Sequence, residues 1–219
     1  MGSSLVSLLV LAGIAVFLVL RLRNILGTRD GYEQPRVDPI ATNDTVKRKF
    51  EVIEGGPDHD IIDNVPENSR AAENLMTLKR AEPDFSVAEF LTGASAAYEM
   101  ILMAFENGDL SNVSDFISDD VEEAFQSVID SRKEAGLTVE AQFIGLHESQ
   151  IIDVELDEAA NEEEIKLRFV SEITSVVRDA AGAIVEGDPN KIKRQKDIWS
   201  FAREMGSNDP NWQLVATGA

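Results

Sequence analysis

Eighteen consecutive uncharged residues, Ser3 to Leu20 (SSLVSLLVLAGIAVFLVL), set the first constraint on this chain. As a helix the run spans roughly 27 Å at about 1.5 Å per residue, close to the hydrocarbon thickness of a bilayer. It is apolar on every side, unlike a helix that covers a soluble core. A cleavable signal peptide would carry basic residues before the apolar run, but here nothing basic precedes it and Arg21-Leu22-Arg23-Asn24 follows. Residues 3–22 are therefore expected to form one transmembrane anchor, with Leu5, Leu9, Ile14, Phe17 and Leu20 as anchor residues. Arg21, Arg23 and Arg29 all lie C-terminal to it, which places the remaining chain on the cytoplasmic side. Met1-Gly2 opens like a myristoylation signal, but Val6 stands where that motif needs Ser or Thr.

Charge is distributed unevenly along the chain. The net charge is −20 over 219 residues, with 40 carboxylates against 20 basic residues. Residues 1–29 carry +3, residues 30–81 carry −4 and residues 82–219 carry −19. Such an acidic chain repels polyphosphate, which excludes nucleic-acid binding through a basic face. The absence of cysteine removes disulfides, thiol catalysis and cysteine metal sites.

Residues 23–81 contain Pro35, Pro39, Pro57 and Pro66, Gly55-Gly56 and charges of both signs, with little periodicity. They are expected to form a flexible acidic linker, with short helices at Lys47–Ile53 and Arg70–Leu78 as local exceptions. Lys47-Arg48-Lys49 falls short of the roughly four to eight basic residues of a lipid-binding cluster.

The folded domain is expected to cover residues 82–219. Asp84 is the expected N-cap of a helical stretch in which Phe90, Ala94, Ala97, Tyr98, Ile101, Leu102 and Phe105 recur at spacings of three and four, with Gly93 dividing it in two. Asn107-Gly108 gives the stop, and a helical turn follows near Leu110–Ile117. Ser118 precedes a helix with acids in its first turn and Arg132 and Lys133 in its last. After Gly136 the period falls to two. One strand is expected around Ala141–Leu146, a second from Ile151, and a clear one over 165–178, where Ile165, Leu167, Phe169, Ile173 and Val177 share a face. Asp179–Gly182 reads as a hairpin turn, with later strands at Ala183–Val185, Gln195–Arg203 and Trp212–Thr217. Helices followed by an antiparallel meander predict an α+β fold, with helices packed on one face of a curved sheet.

No arrangement of residues makes a convincing catalytic or metal site. Gly93-Ala94-Ser95-Ala96-Ala97 lacks the second glycine of a nucleophile elbow and sits within a helix. His59 and His147 are the only histidines and lie in different segments. Asp153, Glu155, Asp157, Glu158 and Glu162–Glu164 form an acidic hairpin that departs from a calcium loop and reads as solvated. No cofactor is expected. Large side chains on the sheet and helices suggest an apolar pocket lined by Phe90, Tyr98, Phe143, Phe169 and Trp199.

The stretch Phe90-Leu91-Thr92-Gly93-Ala94-Ser95-Ala96-Ala97-Tyr98-Glu99, then Ala104-Phe105, Gly108-Asp109-Leu110, Val121-Glu122-Glu123-Ala124-Phe125 and Ile129 to Arg132, resembles a known family. So do Arg178-Asp179, Gly187-Asp188-Pro189, Asp197-Ile198-Trp199-Ser200-Phe201-Ala202-Arg203 and Asp209-Pro210-Asn211-Trp212-Gln213-Leu214. The family is the C-terminal domain of the 44-kDa subunit of the mitochondrial inner-membrane import translocase, and an anchor with an acidic body looks like its bacterial TimA-type adaptor proteins. The resemblance implies a cone-like α+β fold related to nuclear transport factor two. It also implies a membrane-associated adaptor or tether in protein translocation or assembly at the inner membrane. In the mitochondrial relatives the first helices and an apolar pocket are linked to cardiolipin; here residues 84–106 contain no basic residue, so the anchor would hold the membrane instead.

The leading expectation is a non-enzymatic, single-pass protein of a bacterial inner membrane whose acidic cytoplasmic domain faces away from the lipid and binds basic or membrane-bound protein partners. A lipid or small-hydrophobe carrier using the pocket is the alternative. An isomerase-like enzyme comes third and requires a carboxylate buried in the cavity.

Overall fold

The backbone of Ser69 is extended and its Oγ accepts from the N–H of Ala72, so it caps a helix in the segment where prolines predict a linker. The computed structural model describes residues 58–207, 209 and 211–218. The expected anchor at 3–22 and most of the expected linker lie outside them. Four α-helices come first: α1 His59–Ile62, α2 Arg70–Ala81, α3 Val87–Asn107 and, after a 3-10 turn at Ser114–Phe116, α4 Asp119–Glu134. Five strands follow: β1 Thr138–Asp157, β2 Glu162–Arg178, β3 Ile184–Gly187, β4 Lys193–Glu204 and β5 Gln213–Gly218.

Helices α1 and α2 correct the linker boundary. Ile61, Val65, Ala71, Ala72, Leu75 and Leu78 are buried in the core cluster, so the folded body begins by Asp58 and not at residue 82. The anchoring interaction is polar: the Asp60 carboxylate accepts from the backbone N–H of Val87 (2.8 Å) and Ala88 (2.9 Å), and Lys79 Nζ lies 2.9 Å from it. A carboxylate at the first turn of α3 satisfies donors with no intrahelical partner and opposes the positive end of the helix dipole.

Helix α3 is capped by Ser86, whose Oγ accepts from Glu89 N; Asp84 is not the cap. It runs unbroken through Gly93 and stops at Gly108, whose φ of +72° only glycine adopts without strain. Among the described residues it is the one helix long and apolar enough to cross a membrane. Its face of Val87, Phe90, Ala94, Tyr98, Ile101 and Leu102 is instead buried in the domain. Ser118 does precede α4, but its Oγ makes no capping bond.

The strands pair antiparallel in the order β1-β2-β4-β5, and β3 joins β2 beyond the end of β4. β1 is one continuous 20-residue strand where two were expected, with irregular register at Phe143/Gly145, Leu146/Glu148 and Ile151/Asp153. Each extra residue shifts the inward parity, which interrupts the alternation that makes a strand readable. On β2 the inward side chains Ile165, Leu167, Phe169 and Ile173 are buried as expected. The helices cover that face, which gives the α+β architecture of helices on a curved antiparallel sheet.

Candidate functional site

The sequence Gly93-Ala94-Ser95-Ala96-Ala97 leaves a gap on α3, because a Cβ placed on Gly93 would meet nothing within 4 Å. The gap opens into a cleft of about 880 Å³ between α3, the α2–α3 connection and the β4–β5 end of the sheet. Phe85, Phe90, Phe116, Phe201 and Trp212 form its apolar lining, with Met100 39% exposed at the side. Phe90 and Trp212 meet edge to face at 4.8 Å, and Phe85 stands 6.1 Å from both. Such contacts fix the rings; Phe90 and Phe201 are buried, so Phe85, Phe116 and Trp212 supply most of the preformed open surface.

Carboxylates dominate the lining's charge. Glu82, Asp84 and Glu89 stand on it, and Arg203 is the only basic residue on it among the described residues. Arg203 is already neutralised: its Nε and Nη2 donate to Glu163 Oε1 at 2.9 and 2.6 Å, and Nη2 also donates to Glu82 Oε2. Its guanidinium lies 4.8 Å from the centre of the Trp212 ring. Glu82 Oε1 accepts from Gly206 N at 2.9 Å, joining the end of α2 to the turn after β4. Three carboxylates and one doubly paired arginine give the cleft a negative field.

Of the pocket residues expected from sequence, Phe90 alone lines this cleft. Tyr98, Phe169 and Trp199 fill the core, with Tyr98 stacked on Phe169 at 4.4 Å and 4.7 Å from Trp199; Phe143 packs half-buried against Tyr98 at 6.3 Å. The Tyr98 hydroxyl donates to Asp197 Oδ2 (2.5 Å), shares a 2.8 Å bond with Ser171 Oγ and accepts from Gln195. Burial and the adjacent Asp197 push its pKa well above the ordinary phenol range. The acidic β1–β2 hairpin also needs correction, since Glu163 is fully buried rather than solvated. Burial pushes the Glu163 carboxyl up, against the opposing pull of Arg203. Neither Glu163 nor Asp197 lines the cleft; Glu82 does, with its side chain 18% exposed and paired with Arg203. His147 Nε2 lies 3.0 Å from Glu172 and His59 lies 3.7 Å from Asp63. Among the described residues no group of three His, Asp or Glu could hold a metal.

Fold and cleft together define a class: an α+β domain that presents a preformed aromatic surface within an acidic lining. A family model described as the Tim44-like domain matches residues 71–219, and the chain belongs to that family. The match begins within α2, inside the segment expected to be linker. The chain is 22% identical over 164 residues to "Mitochondrial import inner membrane translocase subunit TIM44" of Homo sapiens, covering 73% of this chain and 36% of that protein. The Mus musculus protein of the same name is 20% identical with the same coverage. The chain thus spans about a third of the length of these relatives. Among solved structures, the intermembrane space region of chloroplast protein ARC6 aligns with 60% of this chain and 92% of its own at 10% identity, with a TM-score of 0.38, too low to define a shared fold.

Proposed function

We propose that this protein is a non-enzymatic adaptor of an inner membrane, acting in protein translocation or assembly, whose cleft receives a basic, amphipathic segment of a protein partner. The observation that carries the reading is the pairing of five aromatic rings with Glu82, Asp84 and Glu89 around one opening. An amphipathic helix lays its apolar face on such rings while its lysines or arginines reach the carboxylates. Family membership supports the translocation context, since the matched relatives are named as inner-membrane import translocase subunits. In this reading residues 3–22 span a bacterial inner membrane with the domain on the cytoplasmic side. Tethering raises the domain's effective concentration for membrane-bound partners.

Photo-crosslinking from position 100 in intact membranes tests the proposal. Met100 is at the side of the cleft and is 39% exposed, so a crosslinker there perturbs little. The expected result is a set of protein adducts that depends on Ser3–Leu20 and on Glu82, Asp84 and Glu89. Adducts unchanged by deleting the anchor, or by neutralising the three carboxylates, would refute it.

The cleft volume supports a second reading, that of a lipid or small-hydrophobe carrier, because about 880 Å³ is within the range of small-molecule sites. Native mass spectrometry of protein released from membranes separates the two: a stoichiometric co-purifying lipid favours the carrier, and its absence the adaptor.

A further inference from the structure

The β3–β4 connection leaves the sheet. Gly187 pairs with Val176 and Lys193 with Ile173, so β2 advances by three residues while the opposite chain advances by six, and residues 188–192 project beyond the sheet edge. Asp188 Oδ1 accepts from Asn190 N (2.9 Å) and Asp188 O accepts from Lys191 N (3.1 Å), which closes the projection into a turn. Ile192 on it is 53% exposed, the highest value among the described large hydrophobic residues. Lys191, Lys193, Arg194 and Lys196 are four of the ten basic residues of positions 82–219, and residues 184–196 carry +2 in a stretch that carries −19. Of the other six, Arg132, Arg168, Arg178 and Arg203 each pair with a carboxylate. The four on the projection form no ion pair among the described residues, although burial pushes the Glu106 carboxyl up and Arg132 and Lys193 offset part of that rise.

The cleft has the converse chemistry. Asp84 and Glu89 are exposed on its lining and pair with no described basic residue. Beside them Phe85, Phe116 and Trp212 are half-buried, and the space over Gly93 is open. The two surfaces belong to one domain but cannot meet within it. The projection ends at Lys193, the first residue of β4, whereas Phe201 and Arg203 of the cleft stand near its last, roughly 26 and 33 Å further on at about 3.3 Å per residue. A loop of residues 188–192, fixed to the sheet at both ends, does not span that distance.

We infer that the β3–β4 projection of one copy docks in the cleft of a second copy of this chain, with Ile192 over Gly93 and the flanking basic side chains facing Asp84 and Glu89. The inference rests on the cleft reading and names one occupant for that site. An apolar tip between basic residues complements an aromatic floor rimmed by carboxylates, and opposite charges across an interface steer encounter and fix register. Pairing of like surfaces is disfavoured, because it sets basic residues against basic residues or carboxylates against carboxylates. The contact is heterologous, so each copy engages one neighbour through its projection and another through its cleft, and association runs head to tail as a chain or closes as a ring. A cleft filled by a neighbour is closed to other basic segments, so self-association and partner binding compete for one site.

The chain contains no cysteine, so every disulfide between copies must join engineered positions. Two full-length variants told apart by a tag, Met100→Cys at the side of the cleft and Asn190→Cys on the projection, are coexpressed and oxidised in isolated membranes. The expected result is a disulfide joining position 100 of one variant to position 190 of the other, with little product joining like to like. Asp84→Lys with Glu89→Lys in the first variant, or Lys193→Glu with Arg194→Glu in the second, lowers the yield by more than about tenfold, because like charges then face each other. Reversing both sides together restores it. Added salt weakens the link between the unreversed variants, which gives the same readout should a charge-reversed chain not fold. The proposal is overturned if like pairs form as readily as 100–190 pairs, if neither salt nor charge reversal lowers the yield, or if both cysteines join only other proteins. In that last case adducts at position 100 that depend on Asp84 and Glu89 leave the cleft reading standing, so the two readings fail separately.

Discussion

Arg203 Nη2 lies 2.6 Å from Glu163 Oε1, and the carboxylate it holds is fully buried, with no hydrogen-bond partner for its second oxygen among the described residues. The same guanidinium binds Glu82 and covers the Trp212 ring, so one side chain ties β2, the end of α2 and the cleft floor together. A buried pair of this kind contributes little relative to an apolar replacement of both members, but losing one member leaves an uncompensated charge. Arg203→Ala is therefore expected to cost about 3–5 kcal/mol in urea unfolding of residues 58–219. Combining it with Glu163→Leu should recover part of that loss.

The pH dependence of Glu163 has a definite sign. Burial raises its carboxyl above the ordinary value even with Arg203 beside it, so the folded state binds that proton more tightly than the unfolded chain. Its contribution is fully present below the unfolded carboxyl value and is lost as pH rises through the raised folded value. Glu163→Gln removes this titration. The variant should gain stability relative to the parent as pH rises from acid toward neutral, and a difference that is flat across that range would rule the assignment out.

Asp60 has the opposite sign. Burial disfavours its charge, but Lys79 and the N–H groups of Ala88 and Val87 outweigh that and hold the carboxyl below its ordinary value. The resulting stability is present above the unfolded value and lost as pH falls through the depressed folded one. Asp60→Asn should cost about 1–2 kcal/mol at neutral pH, in the range of a lost N-terminal cap, and progressively less in acid, as read by unfolding at a series of pH values.

Asp60 also shows what sequence could and could not deliver. Helices α3 and α4 are legible because their apolar residues repeat at three and four and both end at glycines, Gly108 and Gly136, with positive φ. The β2 core face is legible for the same reason at period two. Helix α2 was legible as the short helix expected at Arg70–Leu78, but Pro57, Pro66 and mixed charge hid that it belongs to the folded body and not to a linker. The reason residues 58–81 fold, namely that Asp60 meets α3 27 and 28 positions later, is a tertiary fact. The cleft was less legible still. It depends on side chains that α3 lacks, and on Arg203 finding partners 40 and 121 residues away.

Gly187 tests the pairing of β3 with β2. A Cβ there would lie 2.2 Å from Ser175 O, and the residue's φ of +82° is strained for any other side chain. Gly187→Ala should detach β3 from β2, seen as faster exchange at those amides among Val176, Val177 and Arg178 that point to β3, with the β1–β2 and β2–β4 ladders intact. Unchanged exchange at those amides would contradict the pairing.

Gly93 offers the cleanest separation of fold from function. It sits within α3, where glycine is less favourable than alanine by about 1 kcal/mol, and a Cβ there meets nothing within 4 Å. Gly93→Ala should thus raise stability by up to about 1 kcal/mol and leave the cleft open. Gly93→Leu keeps the helical gain and projects an isobutyl group into the cleft beside Ala97 and Phe90. Thermal unfolding of both variants should match or exceed the parent. Adducts formed from the crosslinker at position 100 should persist in Gly93→Ala and fall sharply in Gly93→Leu. If the leucine variant folds and still forms the same adducts, the partner binds elsewhere on the domain and the cleft has no part in the adaptor function.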